Sequence, residues 1–508
     1  FKWGIHMEWI WTTQEQNRIS VFRYMVRNRF TRLTDLMAEF QFSRYMVISI
    51  IEQLNEDIAV LTGETEILVI EKGNVIIFDA PLNVLPVDEL KHYYLSQSTR
   101  AQIIMHLVAE DFDSWEELSF ELDVSTPTVY KERAIVIEHL AEQDITLNKN
   151  NQLVGQEENI RFLRFALLTI YNGQRTEEIS DRVKQVADYY IDSFITPEFG
   201  DLRESQRCII WHMAAIWTVR FTQRHFVTAA YTDQYLVPTS EMSPQSQRVI
   251  QAVKHLMGRS GLLSDEDLDN EARFIVLILH SLGVFATTQT HQDVTAHVIQ
   301  WWQDFDASIQ GSYQCIFYQP LHGTESRRLT YTVGDILMRF LMYPYGVGDG
   351  TYDMQHFNEF SNRYPLSTEL GNEIVQRFAD QRQISAEKLK TVLLTDLVAG
   401  IATTSTFFID IPKVHVALDF GNHVNVERLL LDQFGAVTRT TIQISNRRTA
   451  DTDILLTDVP RDSQGHEAVY IWRGIESRAY IDQLLDEINR IGMEKFNEWR
   501  RKQVNLTE

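Results

Sequence analysis

The chain has 508 residues, of which 44% are hydrophobic and 11% aromatic, with only 11 prolines and 22 glycines. This composition excludes a mainly disordered or collagen-like chain, because enough apolar surface is available to offset the entropy lost on folding. A formal net charge of −23 argues against non-specific binding of nucleic acid by the surface as a whole. Apolar stretches such as 274–285 and 391–408 are too short or too polar to span a bilayer, which predicts a soluble protein without membrane contact.

The two cysteines, Cys208 and Cys315, lie far apart and form no CxxC motif. No charged and then apolar segment of the secretory type opens the sequence. These features favour a reducing, cytoplasmic environment over a disulfide framework. Both thiols are expected to be buried and inert.

Residues 8–78 have the pattern of a winged helix-turn-helix module. A capping box at Thr13–Gln16 begins a first helix. Leu33 to Phe40 have the spacing of a second helix, and Ser43 is placed to cap a third. Two short apolar strands on either side of a turn at 71–74 predict a hairpin wing.

Residues 79–157 repeat this order of elements, which indicates an internal duplication. Four residues of the first module recur at one constant offset: Leu36 as Leu118, Glu39 as Glu121, Ser43 as Ser125 and Val47 as Val129. Thr126 is the predicted cap of the third helix here, because Pro127 suits a first helical turn. A second wing is predicted at 145–154.

The rest of the chain divides into helical and mixed regions. Residues 158–408 contain helical periodicity with few strand patterns, and a polar stretch at 287–295 predicts two all-α domains, 158–288 and 289–408. Residues 409–508 alternate strands and helices, which predicts a parallel α/β sheet. The predicted fold is therefore multidomain and mainly α, with a C-terminal α/β domain.

The first module reverses the charge of the chain locally. Between residues 17 and 50 there are two acidic residues and six arginines, namely Arg18, Arg23, Arg27, Arg29, Arg32 and Arg44. Cations that neutralise phosphates beside a helix with hydrogen-bonding side chains are what duplex DNA requires. The predicted DNA contacts are Arg27, Arg29, Arg32, Ser43, Arg44 and Tyr45, with Lys72 at the wing tip.

The second module offers hydroxyl groups in place of a cluster of arginines. Its predicted DNA contacts are Ser125, Thr126, Thr128, Tyr130, Lys131 and Arg133. Few phosphate contacts from either module alone predict that binding needs both modules or a dimer, and that affinity falls steeply with salt. A weakly basic region on an acidic body also favours bent or A/T-rich duplex at promoters, recognised by its shape.

Three segments carry a resemblance to a known family. Residues 118–130 and 155–161 resemble the second winged helix and exit strand of transcription regulators that contain phosphotransferase-system regulation (PRD) domains. Residues 270–281 are similar to a core helix of such a domain. With its domain order, nearly the whole chain resembles the Mga/AtxA family of virulence regulators of Gram-positive bacteria. The resemblance implies two PRD domains and a C-terminal domain like enzyme IIB of the sugar phosphotransferase system.

The same resemblance implies control by histidine phosphorylation, with the phosphocarrier protein of that system as a partner. A phosphoryl group would add charge and acceptor oxygens at a helical dimer interface. The candidate phosphohistidines are His212, His225, His280, His297, His322 and His356. A buried or surface histidine without a regulatory role is the alternative at each position.

Enzymatic chemistry is not expected. An enzyme IIB domain needs a nucleophilic cysteine after its first strand, but residues 416–422 contain none, and the carboxylate of Asp419 would repel phosphate there. The sequence also lacks the P-loop, GxGxxG, GxSxG and HExxH motifs. No cofactor is expected, and no histidine pair has the spacing of a metal site.

These observations predict a cytoplasmic DNA-binding transcription regulator that forms a homodimer through its helical and C-terminal domains. Two alternatives belong to other classes. One is a component that relays phosphoryl groups between histidines of the phosphotransferase system. The other is a protein-protein scaffold whose winged helices bind an acidic partner.

Overall fold

A computed structural model describes residues 7–65, 67–71, 73–78, 87–109, 112–171, 179–200, 202–258, 264–321, 324–342, 361–408, 411–421, 442–459, 468–472 and 478–507. They form two compact units, an N-terminal unit that ends at Leu279 and a C-terminal unit that begins at His280. Helices predominate in both, and a small parallel sheet lies near the C-terminus, as the sequence predicts. No helix in these ranges is long and apolar enough to cross a membrane.

The first module has three helices and a three-stranded sheet. Its elements are α1 (Thr13–Asn28), β1 (Phe30–Arg32), α2 (Leu33–Phe40), α3 (Arg44–Thr62), β2 (Leu68–Glu71) and β3 (Val75–Phe78). The strands are antiparallel in the order β1–β3–β2, so the predicted wing gains a third strand. Thr12, rather than the predicted Thr13, caps α1: its hydroxyl accepts from the Glu15 amide, and the Glu15 carboxylate accepts from the Thr12 amide at 2.6 Å.

The second module repeats the three helices and the hairpin of the first, with one further helix before them and a sheet of two strands. Its elements are α4 (Val87–Gln97), α5 (Thr99–Ala109), α6 (Trp115–Glu121), α7 (Thr126–Ala141), β4 (Thr146–Leu147) and β5 (Leu153–Val154). The corresponding residues Leu36 and Leu118 are both fully buried, as are Val47 and Val129. One hydrophobic core includes both modules, so they belong to a single packed body.

The N-terminal unit continues as helices. These are α8 (Glu157–Tyr171), α9 (Asp181–Tyr190), α10 (Thr196–Phe199), α11 (Glu204–Thr222), α12 (Ala229–Tyr235), α13 (Pro244–Gly258) and α14 (Asp265–Ser281), whose last two residues belong to the C-terminal unit. Helix α8 begins three residues after the wing strand β5 ends, and its residues Ile160, Leu163 and Leu167 enter the core of the winged modules. The second module therefore joins the helical body through α8.

The C-terminal unit opens with helices and ends with the sheet. The helices are α15 (Thr287–Asp293), α16 (Ala296–Phe317), α17 (Glu325–Thr332), α18 (Gly334–Met342), α19 (Pro365–Arg382) and α20 (Ala386–Thr403). Helices α16 and α19 pack through the buried rings of Phe305 and Phe378, whose centroids lie 5.1 Å apart.

The sheet has four parallel strands in the order β7–β6–β8–β9. They are β6 (Val414–Asp419), β7 (Ile442–Ser445), β8 (Ile454–Thr457) and β9 (Ala468–Ile471), followed by the long helix α21 (Arg478–Thr507). All four residues of β8 are buried, as expected of an internal parallel strand. Helix α21 covers the sheet with Leu484 and Ile488, and Lys495 forms an ion pair with Asp453 at 2.5 Å. The predicted parallel sheet is confirmed, and residues 424–434, where the sequence pattern also predicts a helix, lie outside the described residues.

A buried network of four charged residues holds the helical part of the N-terminal unit. Arg161 of α8 donates to both carboxylate oxygens of Glu271 of α14, at 2.8 and 2.9 Å, and to Glu157 at 2.8 Å. Arg220 of α11 makes two further bonds to Glu157, at 2.9 and 2.7 Å. Arg161, Arg220 and Glu271 are at most 1% exposed. Two cations and two anions thus balance each other away from water.

We expect Glu271→Gln to destabilise the N-terminal unit by about 3–5 kcal/mol, because the amide leaves the buried Arg161 guanidinium with too little negative charge. Differential scanning calorimetry would record this loss as a lower unfolding midpoint, and hydrogen exchange would show faster exchange in α8. Glu266→Gln is the matched control, since Glu266 is exposed on the same helix and should change stability by less than about 0.5 kcal/mol. Equal midpoints for the two variants would contradict this role of Glu271.

Candidate nucleic-acid interface

The third helix of the first module begins at an exposed serine cap. The Ser43 hydroxyl accepts a hydrogen bond from the Met46 amide at 3.2 Å, and Gln41 in the preceding turn has the left-handed conformation, with φ of 56°. Val47 and Leu54 fix the opposite face of α3 in the core. This packing leaves Ser43, Arg44 and Tyr45 exposed, with Tyr45 at 82%. The predicted Ser43 cap is confirmed.

The start of α3 is tied to the wing. The Arg44 guanidinium donates to the side-chain oxygen of Asn74 at 2.9 Å, and Asn74 lies in the turn between β2 and β3. The start of α3 and the wing turn are therefore joined directly by this hydrogen bond. Lys72, the predicted wing-tip contact, lies outside the described residues.

The remaining arginines of the cluster have different environments. Arg18 forms an ion pair with Asp57 at 2.8 Å and lies over the Tyr94 ring, so it supports the fold. Arg29 packs its guanidinium on Phe78, 5.4 Å from the ring centre. Arg27 is half-buried and has interactions of its own, whereas Arg32 is exposed. The charge available to DNA is therefore smaller than the count of six arginines suggests.

The third helix of the second module begins in the same way, with one correction. Ser125, rather than the predicted Thr126, caps α7 by accepting from the Thr128 amide at 3.3 Å. Asp123 before it is left-handed, with φ of 51°, as Gln41 is in the first module. The Thr126 hydroxyl is half-buried and hydrogen-bonded to Ser119 at 3.1 Å, while Thr128 is exposed. Thr126 is therefore directed into the module and is a weaker candidate for DNA contact.

The exposed face of α7 also carries Tyr130, Lys131 and the half-buried Arg133. The Tyr130 hydroxyl donates to Glu116 at 3.0 Å, and this hydrogen bond raises the pKa of the tyrosine. Arg133 lies over the Trp115 ring, 4.8 Å from its centre, so its side chain is part of the packing between α6 and α7. Lys131 is exposed.

Two exposed aromatic residues near these helices were not identified from the sequence. Phe30 of β1 is 70% exposed, and Phe120 of α6 is 89% exposed. In a periodic pattern both look like core residues, because an apolar residue in a short element is usually buried. The helical spacing does indicate that Phe120 is exposed, since it is two residues from the buried Leu118 and therefore falls on another face of α6.

The candidate phosphohistidines differ sharply in accessibility. The His212 and His280 rings are buried, at 2% and 1% exposure, so a phosphocarrier protein reaches neither without a local opening. His225 is half-buried, and its carbonyl oxygen accepts from Arg161 at 3.0 Å. His297 is exposed at the start of α16. His322 and His356 lie outside the described residues.

The two buried histidines have structural partners. His280 contacts the Thr290 hydroxyl at 3.0 Å and the Asp293 carboxylate at 3.1 Å, and it stacks on Phe285. His212 donates through Nδ1 to the Cys208 carbonyl oxygen at 2.8 Å. Burial lowers the pKa of both histidines, more strongly than their partners raise it. Each is therefore held as a neutral ring.

The cysteines do not match the expectation that both are buried. Cys315 is exposed and Cys208 is half-buried, because Cys315 falls on the outer face of α16 while its neighbour Ile316 packs inward. Burial raises the pKa of the Cys208 thiol, which disfavours its reactive thiolate form. Among the described residues, no group of three or more His, Cys, Asp or Glu side chains could hold a metal ion.

We expect Ser43→Ala and Ser125→Ala each to cost about 1 kcal/mol of local helix stability, because the first turns of α3 and α7 lose their side-chain acceptor. Hydrogen exchange at the Met46 and Thr128 amides should accelerate roughly fivefold. Ser96→Ala is the control, since the exposed Ser96 hydroxyl bonds only within its own helix. Unchanged exchange in the cap variants would show that the caps do not hold these turns.

Comparison with protein families assigns the second module. Residues 84–168 match the family model described as the Mga helix-turn-helix domain, and the match covers α4 to α7, the strands β4 and β5 and most of α8. No curated protein matches the chain. The matched residues include the Ser125 cap and the exposed face of α7. Over these residues the chain resembles the Mga helix-turn-helix domain, which confirms the predicted resemblance to the Mga/AtxA family of transcription regulators for this segment.

Proposed function

We propose that this protein is a transcription regulator that binds promoter DNA with both winged modules, through the N-terminal turns of α3 and α7. The observation that carries the proposal is that α3 and α7 are exposed at their N-terminal turns in the same way. Each begins with an exposed serine cap after a left-handed residue, and each exposes hydroxyl and cationic side chains on its first turns. In helix-turn-helix proteins the corresponding turns enter the major groove.

The phosphate contacts of this interface are few. Arg32, Arg44 and Lys131 are exposed on the two modules, and Arg44 also contacts the wing turn. The amides of Arg44 and Tyr45 at the N-terminus of α3 add donors for phosphate oxygens. The first turn of α7 adds fewer, because Pro127 has no N–H and the Thr128 amide already donates to Ser125. Since base-reading side chains are also few, binding should favour bent or A/T-rich duplex that is recognised by shape. A homodimer, formed through the helical and C-terminal domains, would double the number of contacts.

We expect Arg44→Ala and Lys131→Ala each to weaken binding of a promoter-length duplex several-fold. Each should also reduce the slope of log K against log salt by about one, because each removes about one phosphate contact. Fluorescence anisotropy of the labelled duplex across a salt series measures both quantities. Arg182→Ala is the matched control, since Arg182 is an exposed arginine of α9 outside the winged modules.

Two outcomes would contradict DNA binding by these helices. If Arg182→Ala weakened binding as much as Arg44→Ala, the contacts would be spread over the surface and not localised at α3. If the protein bound no duplex even at low salt, the winged modules would instead be protein-binding surfaces, which is the scaffold alternative. In that case the arginines of the first module would be neutralised by an acidic partner.

We further propose that His297 is the phosphorylation site, if the phosphocarrier protein regulates this chain. His297 is exposed in the first turn of the 22-residue helix α16. A phosphoryl group there would lie beside the free amides and the positive end of the helix dipole, which favour an anion. His212 and His280 lack this access because their rings are buried.

Mass spectrometry under alkaline conditions tests this site after incubation with the phosphorylated phosphocarrier protein. We expect acid-labile phosphate on the wild-type chain and its loss in His297→Ala. His255→Ala is the control, since His255 is exposed in the last turn of α13, where the helix dipole disfavours an anion. Phosphate that persists in His297→Ala would exclude this site, and transfer of that phosphate onward to a partner would favour the relay alternative.

A further inference from the structure

The winged modules expose two phenylalanines that the fold does not cover. Phe30 of β1 is 70% exposed and Phe120 of α6 is 89% exposed, the largest values for phenylalanine among the described residues. An exposed apolar patch with polar residues around it marks a contact surface. Because each ring is largely open to solvent, the two rings do not cover each other within one chain.

Phe30 belongs to an apolar row on the outer face of the first module's sheet. In the strand register, Ile77 of β3 pairs with Phe30 of β1 and with Val69 of β2. Paired residues project from the same face of a sheet, and Thr31, which projects from the other face, is buried. Phe30 and the half-buried Ile77 and Val69 therefore lie together on the solvent side.

The β1 edge of this face is positively charged. Arg32 is exposed two residues after Phe30, so it projects from the same side of the sheet. Glu71 is also exposed on this side, but it lies on β2 at the opposite edge. The surrounding sequence is basic, since residues 17–50 contain six arginines and two acidic residues. We call Phe30, Ile77, Val69 and Arg32 the sheet surface.

Phe120 lies in surroundings of the opposite charge. Residues 113–123 contain five acidic residues, all exposed, and neither lysine nor arginine. Glu117 lies three positions before Phe120 on the same side of α6, and Glu121 is its neighbour in sequence. An acidic face repels the phosphate backbone of DNA, so this face suits a protein. We call Glu117, Phe120 and Glu121 the α6 surface.

We propose that the α6 surface of one copy of this chain binds the sheet surface of a second copy. The Phe120 ring packs against Phe30 and Ile77, and the carboxylates beside it face the positively charged edge at Arg32. An aromatic anchor at the centre with charged residues at the rim is the usual composition of a protein interface. The occupant is a second copy because the chain itself carries both an acidic and a basic surface, each with an exposed phenylalanine.

This contact joins two different surfaces, so no twofold axis closes it. Each bound copy keeps one unused surface, and association therefore continues as an open chain of copies. A closed homodimer, in contrast, stops at two copies. Because both winged modules share one core, the contact also holds neighbouring copies at a fixed spacing. The use of that spacing on DNA rests on the proposed DNA-binding function, whereas self-association itself does not.

Sedimentation equilibrium of the full-length protein without DNA tests this contact. DNA is omitted because Arg32 is also exposed to phosphate in the proposed function. We expect the weight-average mass to exceed that of two copies at about 0.5 mM protein, since a small contact is weak. Phe30→Ala and Phe120→Ala should each weaken association by about tenfold or more. High salt should weaken it as well, because it screens the charged rim.

A mixture of the two variants distinguishes this contact from a symmetric one. Phe30→Ala keeps the α6 surface and Phe120→Ala keeps the sheet surface, so an equimolar mixture should reach a higher mass than either variant alone. Mixing does not restore a symmetric contact or a misfolded chain. Tyr189→Ala is the control and should associate like the wild type, since Tyr189 is 50% exposed on α9, outside the winged modules.

Three results would overturn the proposal. The first is a wild-type mass that does not change with concentration, which would leave other proteins as the partners of both surfaces. The second is association of either phenylalanine variant as strong as that of the wild type. The third is a mixture whose mass stays at that of the separate variants. None of these results depends on whether the protein binds DNA.

Discussion

The bidentate pair between Arg161 and Glu271 is the contact on which the arrangement of the N-terminal unit depends. Burying two ions costs several kcal/mol each, and this cost is offset only when every donor and acceptor finds a partner. Glu271 meets that condition, because its oxygens also accept from the Trp217 indole and the Val227 amide. A single carboxylate thereby fixes α8, α11 and the segment before α12 relative to α14. Four chain segments therefore meet at this one carboxylate.

The other two residues of the network, Glu157 and Arg220, offset part of the cost of burying Arg161 and Glu271. Burial alone would raise the pKa of Glu157, but the hydrogen bonds and charges of Arg220 and Arg161 lower it overall. Burial would likewise lower the pKa of Arg161, and Glu271 raises it. Glu157 and Arg161 therefore stay ionised at neutral pH, and the stability that Glu157 contributes is lost only as the pH falls through its depressed pKa. Because Glu157 and Arg161 lie in the first turns of α8, this electrostatic balance sets the direction in which the chain leaves the second wing.

Local sequence patterns predicted much of this architecture, but they did not predict the ion pairs between residues far apart in sequence. The Ser43 cap, the winged duplication and the parallel sheet follow from residues close together in sequence, so the sequence shows them directly. The sequence predicts Thr13 as the cap of α1, one residue after the true cap Thr12, since either of these adjacent threonines has a suitable side chain. Two ion pairs join distant residues: Arg18 and Asp57 are 39 positions apart, and Arg161 and Glu271 are 110 positions apart. Hydrophobic periodicity cannot predict such contacts. Counting arginines therefore overestimated the charge at the proposed DNA interface, because the sequence does not show which arginines form ion pairs within the fold.

This division between structural and available charge shapes how such a protein can bind DNA. A chain with net charge −23 repels a phosphate backbone over most of its surface. Within the first module, Asp57 neutralises Arg18, so the six arginines offset that repulsion less than their number suggests. Hydroxyl groups and helix N-termini carry no net charge, yet they donate to phosphate oxygens. A protein with this balance gains affinity by repeating a weak module within one rigid core, because the second contact is made at the high effective concentration that the shared core imposes. If both winged modules bind DNA as proposed, their common hydrophobic core is as much a part of recognition as the side chains on the exposed turns of α3 and α7.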